Sequence, residues 1–162
     1  MADMFDKETR SRIMRAVRTA ETEPEQRLAV ALKALGLRFR RNDVKIFGTP
    51  DFAFRQARLA VFVDGDFWHG RAWFKNAVAP ATNADFWMGK FERNRRRDRL
   101  VNRELKRRGW SVLRLWASDV RKRPVASAGR IHAQLRCLAR VGRPSSTAGP
   151  SSRRRGRLSS AG

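Results

Sequence analysis

Asp51, Asp64 and His69 are the residues of this chain whose types and spacing could do chemistry. They lie within residues 49–70, TPDFAFRQARLAVFVDGDFWHG, where Asp51 opens one short apolar run directly after Pro50 and Asp64 closes the next. His69 follows five residues later, behind the aromatic pair Phe67-Trp68. Two acids delivered by adjacent strands can hold a divalent cation. Magnesium takes hard oxygen ligands, usually one or two carboxylates together with waters and substrate phosphates. Such an ion polarises a phosphodiester, activates water and steadies the leaving oxygen. A histidine titrating near neutral pH can manage the proton of the attacking water or of the leaving oxygen. In a very basic chain, this set points to hydrolysis of a phosphodiester.

Each of these residues also has a plainer role. Thr49-Pro50-Asp51 is good turn chemistry, and Asp64-Gly65 is a common hairpin dipeptide. Residues 66–70 (DFWHG) do not alternate like a returning strand, however, which weakens the hairpin. His69 is one of two histidines, with His132. Isolated histidines are mostly surface residues, but its place behind a strand-ending acid sets this one apart. Phe67 and Trp68 either cover the apolar floor of a site or act as a wedge that enters a base stack, at a cost of about a few kcal/mol per step. A mismatch, already weakly stacked, lowers that cost.

The elements that must position these residues follow from the rest of the chain. Its 162 residues suit one domain with a real core. The net charge of +22 opposes compactness by self-repulsion and calls for a polyanionic partner. Nucleic acid fits better than a membrane: no amphipathic anchor, transmembrane-length run or apolar leader is evident. The single Cys137 excludes an internal disulfide and a cysteine-based zinc site, and suggests a reducing, cytoplasmic compartment.

Residues 6–18 look helical. A second helix starts near Thr22, where Thr22 and Glu25 have the spacing of a capping box and Pro24 suits the first turn; Gly36 stops it. Residues 37–41 alternate like an edge strand, and residues 51–55 and 59–64 are the best strands, joined by a tight return. Residues 70–83 look irregular. A long helix is expected over 84–108, then a strand over 110–116 and a last helix over about 125–141. This order predicts an α/β fold with a mixed sheet. From Gly142 the composition turns to Ser, Gly, Pro and Arg, which predicts a disordered basic tail over 142–162 beside a nuclease domain over 1–141.

Residues 90–108 carry ten basic residues against three acids. That excess is too one-sided for solubility alone and suits phosphate contact, with Asn94, Arg95, Arg96 and Arg97 as DNA-binding residues. Asn94 and Asp98 share one helical face. From spacing alone, Asp98 balances charge within the helix.

These residues, in this order, resemble the very-short-patch repair endonucleases, DNA mismatch nucleases of bacteria. The resemblance spans about residues 3–135 and rests on DKETRSRIMRAVR, PEQRL, GTPDFAF, LAVFVDGDFWHG, NADFWMGK, KFERNRRRDR and GWSVLRLW. It implies a restriction-endonuclease-like core, a mixed sheet flanked by helices. It also implies a magnesium-dependent nick of one strand, 5′ to the thymine of a T:G mismatch in double-stranded DNA. By the same resemblance Asp51 binds magnesium, Val63 adds a backbone carbonyl, and His69 is catalytic. Asp98 and Glu25 are the helix-borne acids, although a capping box alone would explain Glu25, and Asp64 lies beside the metal site. The intercalating aromatics map to Phe67 and Trp68, with a further wedge near Phe86 and Trp87.

One departure is large. Members of that family commonly hold a structural zinc through cysteines and a histidine, whereas this chain has Asp66 before Phe67-Trp68-His69, then Gly70-Arg71-Ala72-Trp73, and Ala117-Ser118 after the last core strand. No zinc is expected, and Trp73 with neighbouring apolar packing should replace that tie. Asp66 is also a candidate to join the magnesium site, since Asp64 and Asp66 point the same way on an extended segment.

Three functions compete: a mismatch-directed nicking enzyme working as a monomer in the bacterial cytoplasm at the nucleoid, a nuclease of the same fold serving restriction or phage defence, and a DNA-binding protein without catalysis. Intact Asp51, Asp64 and His69 argue against the last. The tail should add non-specific DNA affinity. Helper proteins, flanking-sequence preference and methylation dependence leave no mark on the sequence.

Overall fold

Proline and glycine mark the ends of the first helix, α1 (Glu23–Ala34). Pro24 sits in its first turn, where a missing N–H costs nothing, and Gly36, at φ +69°, turns the chain away past its end. The computed structural model describes residues 22–76 and 84–141, without the side chains of Ala72, Trp73 and Asn76. The helix expected over 6–18, the stretch 77–83 and the tail from Gly142 lie outside the described residues.

The capping box does not form. No side chain caps α1; the Thr22 hydroxyl instead donates to Glu25 Oε1 at 2.8 Å. Glu25 is 3% exposed, with Arg41 Nη2 3.4 Å from its other oxygen. Its carboxylate lies between the Thr22 hydroxyl and the Arg41 guanidinium.

Four strands follow the sheet order β1 (Arg40–Arg41), β2 (Phe52–Phe54), β3 (Leu59–Asp64) and β4 (Ser111–Trp116). β1–β2 and β2–β3 are antiparallel, and β3–β4 is parallel. The expected return between β2 and β3 is present, with Arg58 N–H donating to the Arg55 carbonyl at 3.2 Å. The edge strand expected over 37–41 shrinks to two residues, because only Arg40 and Arg41 find partners, Ala53 and Phe52.

The parallel pair needs a crossover, which α2 (Arg71–Asn76) and α3 (Ala84–Arg107) provide. α2 corrects the irregular stretch expected from residue 70; its start is fixed by Arg71 N–H on the Asp66 carbonyl at 2.8 Å and Phe74 N–H on the Gly70 carbonyl at 2.9 Å. After β4 a short helix that was not expected, α4 (Ala117–Lys122), precedes the expected last helix, α5 (Pro124–Val141). Arg123 separates them at φ −140°, ψ 64°, as a residue before proline is kept out of helical geometry.

Side-chain alternation divides the sheet. Phe52, Phe54, Leu59 and Val61 face α1, α4 and α5, where they bury Leu28, Leu32, Val120 and Ile131. Ala53, Ala60 and Phe62 face the other way, against Val101 and Leu105 of α3. A mixed sheet with helices on both faces is the restriction-endonuclease-like arrangement. Among the described residues no helix is long and apolar enough to cross a membrane.

Candidate active site

The acids gather at one end of the sheet because the register puts them there. Asp51 directly precedes β2 and Asp64 ends β3. With Phe52 opposite Val61, Asp51 comes beside the last residues of β3, and the Val63 N–H donates to its Oδ2 at 2.6 Å. Burial pushes the Asp51 carboxyl up to about 7 against that hydrogen bond, and the charges of Glu25 and Asp64 add to the rise. Burial also raises Asp64, despite the opposing charges of Arg114 and His69.

His69 reaches the same end from the turn after β3. Its Nδ1 is 2.7 Å from Asp98 Oδ2 on α3, and its Nε2 is 3.8 Å from Asp64 Oδ1. Asp98 therefore does more than balance charge within its helix. Burial would raise its pKa, but the hydrogen bond to His69 and the charges of Arg114 and His69 prevail and hold it below the usual carboxylate range. An ionised Asp98 selects the tautomer with the proton on Nδ1, leaving Nε2 as an acceptor. Asp64, His69 and Asp98 line a cleft of about 250 Å³. A larger cavity of about 830 Å³ runs beside Phe39, Arg40 and Leu135 on the β1 side of the sheet. It holds none of these acids.

Arg114 is the functional residue that sequence reasoning missed. It pairs with Phe62 in the parallel register and lies over that ring at 4.5 Å. Its Nη1 donates to Asp64 Oδ1 at 2.7 Å, its Nη2 is 3.2 Å from Asp98 Oδ1, and its Nε donates to Asn102 Oδ1 at 3.1 Å. One guanidinium thus links both acids flanking His69. The signal was present: a lone arginine in the apolar strand SVLRLW.

The aromatic residues converge as well. Phe67 meets Trp68, Trp87 and Phe91 at centroid distances of 5.4, 4.8 and 5.8 Å, and Phe86 edges onto Trp87 at 5.3 Å. Phe91 forms the floor at 2% exposure, while Phe67 and Phe86 stay exposed at its rim. Lys90 Nζ lies over Trp68 and Trp87 at 4.9 and 5.4 Å. The wall is apolar at its base and cationic at its edge. Asn94, expected on DNA, donates to the Trp68 carbonyl at 2.6 Å and braces the turn. Arg95 packs over Phe74 at 3.9 Å, while Arg96 and Arg97 are exposed.

Around Asp66 the tie is ionic. Asp66 accepts from Arg71, from the Ser118 hydroxyl and from the Ser118 N–H, so its carboxylate is engaged there and not beside Asp51. Burial would raise its pKa, but the Ser118 and Arg71 hydrogen bonds outweigh it and hold the group low. The side chain of Trp73, expected to pack at this place, is outside those described.

Asp51 and the Val63 carbonyl are the oxygen donors that could hold a cation. A buried carboxyl lifted toward neutrality by neighbouring acids is one that a cation would relieve. Among the described residues no group of three or more His, Cys, Asp or Glu side chains could hold a metal ion.

Known proteins are similar to this chain in sequence. The family model described as "DNA mismatch endonuclease Vsr" matches residues 2–75. A type II nicking enzyme of Neisseria meningitidis serogroup C, V.NmeDIP, is 44% identical over 134 residues, covering 83% of this chain and 90% of that protein. Another nicking enzyme, V.HpaIIP of Haemophilus parainfluenzae, is 45% identical over 75% of this chain and 87% of its own. The DNA mismatch endonuclease Vsr of Escherichia coli (strain K12) is 42% identical over 76% of this chain and 78% of its own. The chain belongs to the Vsr family, and with it to the endonucleases that act on DNA.

Proposed function

We propose that this protein is a magnesium-dependent endonuclease that nicks one strand of double-stranded DNA 5′ to the thymine of a T:G mismatch, in very-short-patch repair. The observation that carries the reading is the His69–Asp98 contact of 2.7 Å, beside Asp64 and at the sheet end where Asp51 meets Val63. Magnesium held by Asp51 and the Val63 carbonyl, with waters completing its shell, would polarise the phosphodiester and stabilise the leaving oxygen.

The chain's own residues divide the remaining work. His69 Nε2, the ring nitrogen not engaged by Asp98, takes the proton of the attacking water. Arg114 holds Asp64 and Asp98 through one guanidinium and offsets their charge. Glu25, near enough to Asp51 to raise its pKa, belongs to the same acidic end. The aromatic wall of Phe67, Trp68, Phe86 and Trp87 supplies a wedge for a weakened base step. Arg95, Arg96 and Arg97 supply cations for the backbone.

The protein acts as a monomer, since one cluster suffices for one nick, and works at the DNA of the bacterial cytoplasm. The basic residues of the 142–162 stretch add non-specific affinity.

The test is a strand-specific nicking assay with magnesium on a duplex bearing one T:G mismatch and on its T:A twin, across many flanking sequences. A nick 5′ to the mismatched thymine, absent from the twin and abolished by Asp51→Ala with binding retained, is the expected result. Equal cutting of both duplexes would remove the mismatch role and favour a restriction or defence nuclease. Undiminished magnesium-dependent cutting by Asp51→Ala would overturn the proposed metal site.

A further inference from the structure

The turn over residues 65–70 carries His69, Phe67 and Trp68, and two helices hold it from opposite sides. From α3, Asn94 donates to the Trp68 carbonyl at 2.6 Å and Asp98 meets His69 at 2.7 Å. The second hold runs to α4. Arg71 Nη1 donates to Asp66 at 2.9 Å and to the Ser118 hydroxyl at 2.6 Å. Both Nη atoms reach Asp119 at 3.1 Å, and the guanidinium lies over the Trp116 ring at 5.1 Å. Asp66 in turn accepts from the Ser118 N–H at 2.8 Å. No side chain of the residue at the helix boundary, Trp116, caps α4, so the turn itself satisfies that N–H.

We propose that Arg71, clamped between Asp66 and Asp119, is a positioning residue for strand cleavage: it fixes the 65–70 turn against α4 so that His69 stays on Asp98. The proposal rests on the nicking role assigned above to His69. Arg71, Asp66 and Asp119 do not line the cleft that holds Asp64, His69 and Asp98, so they act through the turn and not on substrate. A fork meeting two carboxylates and a hydroxyl fixes direction as well as distance, which a lysine on the same stem cannot do. The three side chains are 25–48% exposed, and ion pairs of that kind add little to stability. Their effect is on geometry.

The experiment compares wild type, Arg71→Ala and Arg71→Lys by single-turnover nicking of the T:G duplex, duplex affinity, circular dichroism and the ¹⁵N-NMR signature of the His69 ring. Arg71→Ala should stay folded and bind within about 3-fold of wild type, yet nick roughly 10- to 100-fold more slowly, as expected when a reacting group is misplaced by about 1 Å. Its His69 Nδ1–H resonance should broaden or vanish, and Arg71→Lys should recover only part of both. A wild-type rate in Arg71→Ala, or a slowed rate with an unchanged His69 resonance, would overturn the proposal. If Arg71→Ala does not fold, Asp119→Asn takes its place with the same readings. If wild type leaves the T:G duplex intact, the function proposed above fails, while the ring resonance still decides the clamp.

Discussion

The two faces of the sheet are built from different materials. On the side of α1, α4 and α5, Phe52, Leu59 and Val61 bury Leu28, Leu32 and Ile131 completely in one large apolar cluster. On the α3 side the apolar layer is thinner and smaller-grained, with Ala53, Ala60 and Val101. At the strand ends it gives way to Asp64, Arg114, His69 and Asp98. One face buries enough apolar surface to hold the fold. The other can therefore carry acids at their desolvation cost, which the Arg114 bonds to Asp64 and Asp98 offset in part. Stability and chemistry are separable here, and substitutions on the two faces should fail differently.

The largest contrast comes from pairing His69→Ala with Ile131→Ala. Loss of a general base typically lowers a rate by about 10²–10⁴-fold. His69→Ala should show that loss in single-turnover nicking with its unfolding midpoint nearly unchanged. Ile131, fully buried, should behave oppositely: truncation costs about 2–5 kcal/mol of stability, read in urea, with the nicking rate preserved where the protein remains folded. A rate loss in Ile131→Ala under folded conditions would show that the faces are coupled.

Gly70 sits where the site turn meets α3. It adopts φ +62°, and a Cβ there would fall 2.9 Å from the Phe91 ring. Overpacking of this kind costs about 1–3 kcal/mol. Gly70→Ala should lose that stability and slow nicking together, by shifting the Phe67-Trp68-His69 turn. Unchanged nicking would mean that the turn absorbs the methyl group without moving its histidine.

Acid and base should also separate the faces. The Asp51 carboxyl, raised from an ordinary 3.8 to about 7 by burial and neighbouring acids, is harder to ionise in the folded chain than in the unfolded one. Its contribution to stability is complete below the ordinary value and is lost as pH rises through about 7. Metal-free protein should thus weaken over that window, and Asp51→Asn should flatten the dependence. Magnesium must compete with the proton, so its affinity should rise about tenfold per pH unit below that pKa and level off above it. An affinity independent of pH from 5 to about 8 would remove Asp51 from the metal site.

The sequence made one face and part of the other legible. Leu28 and Leu32 at helical spacing, and the LAVFVD run, identified α1 and β3 because apolar periodicity is a local signal. Asp51, Asp64 and His69 could be found because strand-end acids and a nearby histidine are rare combinations. The Asp66–Arg71–Asp119 tie was not legible: it joins residues 48 positions apart, and nothing local distinguishes such a pair from solvated charges. Glu25 shows the reverse failure. Its spacing from Thr22 satisfied a local motif, but burial beside Arg41 decided its geometry.

The smallest effect belongs to the outer surface of α3. Along one helix, Asn94, Asp98 and Asn102 turn toward the turn and Arg114, while Arg96 and Arg103 are exposed on the opposite side. On the proposed function, the inner residues place reacting groups and the outer ones offer only charge to phosphate. Arg96→Gln should therefore leave both the unfolding midpoint and the single-turnover rate of bound complex unchanged. Its mark should appear in binding alone: affinity falls alike for T:G and T:A duplexes, and the slope of log affinity against log salt shrinks by about 0.9. A change in T:G discrimination would instead place Arg96 at the mismatch, and the division of α3 into a placing face and a charging face would fail.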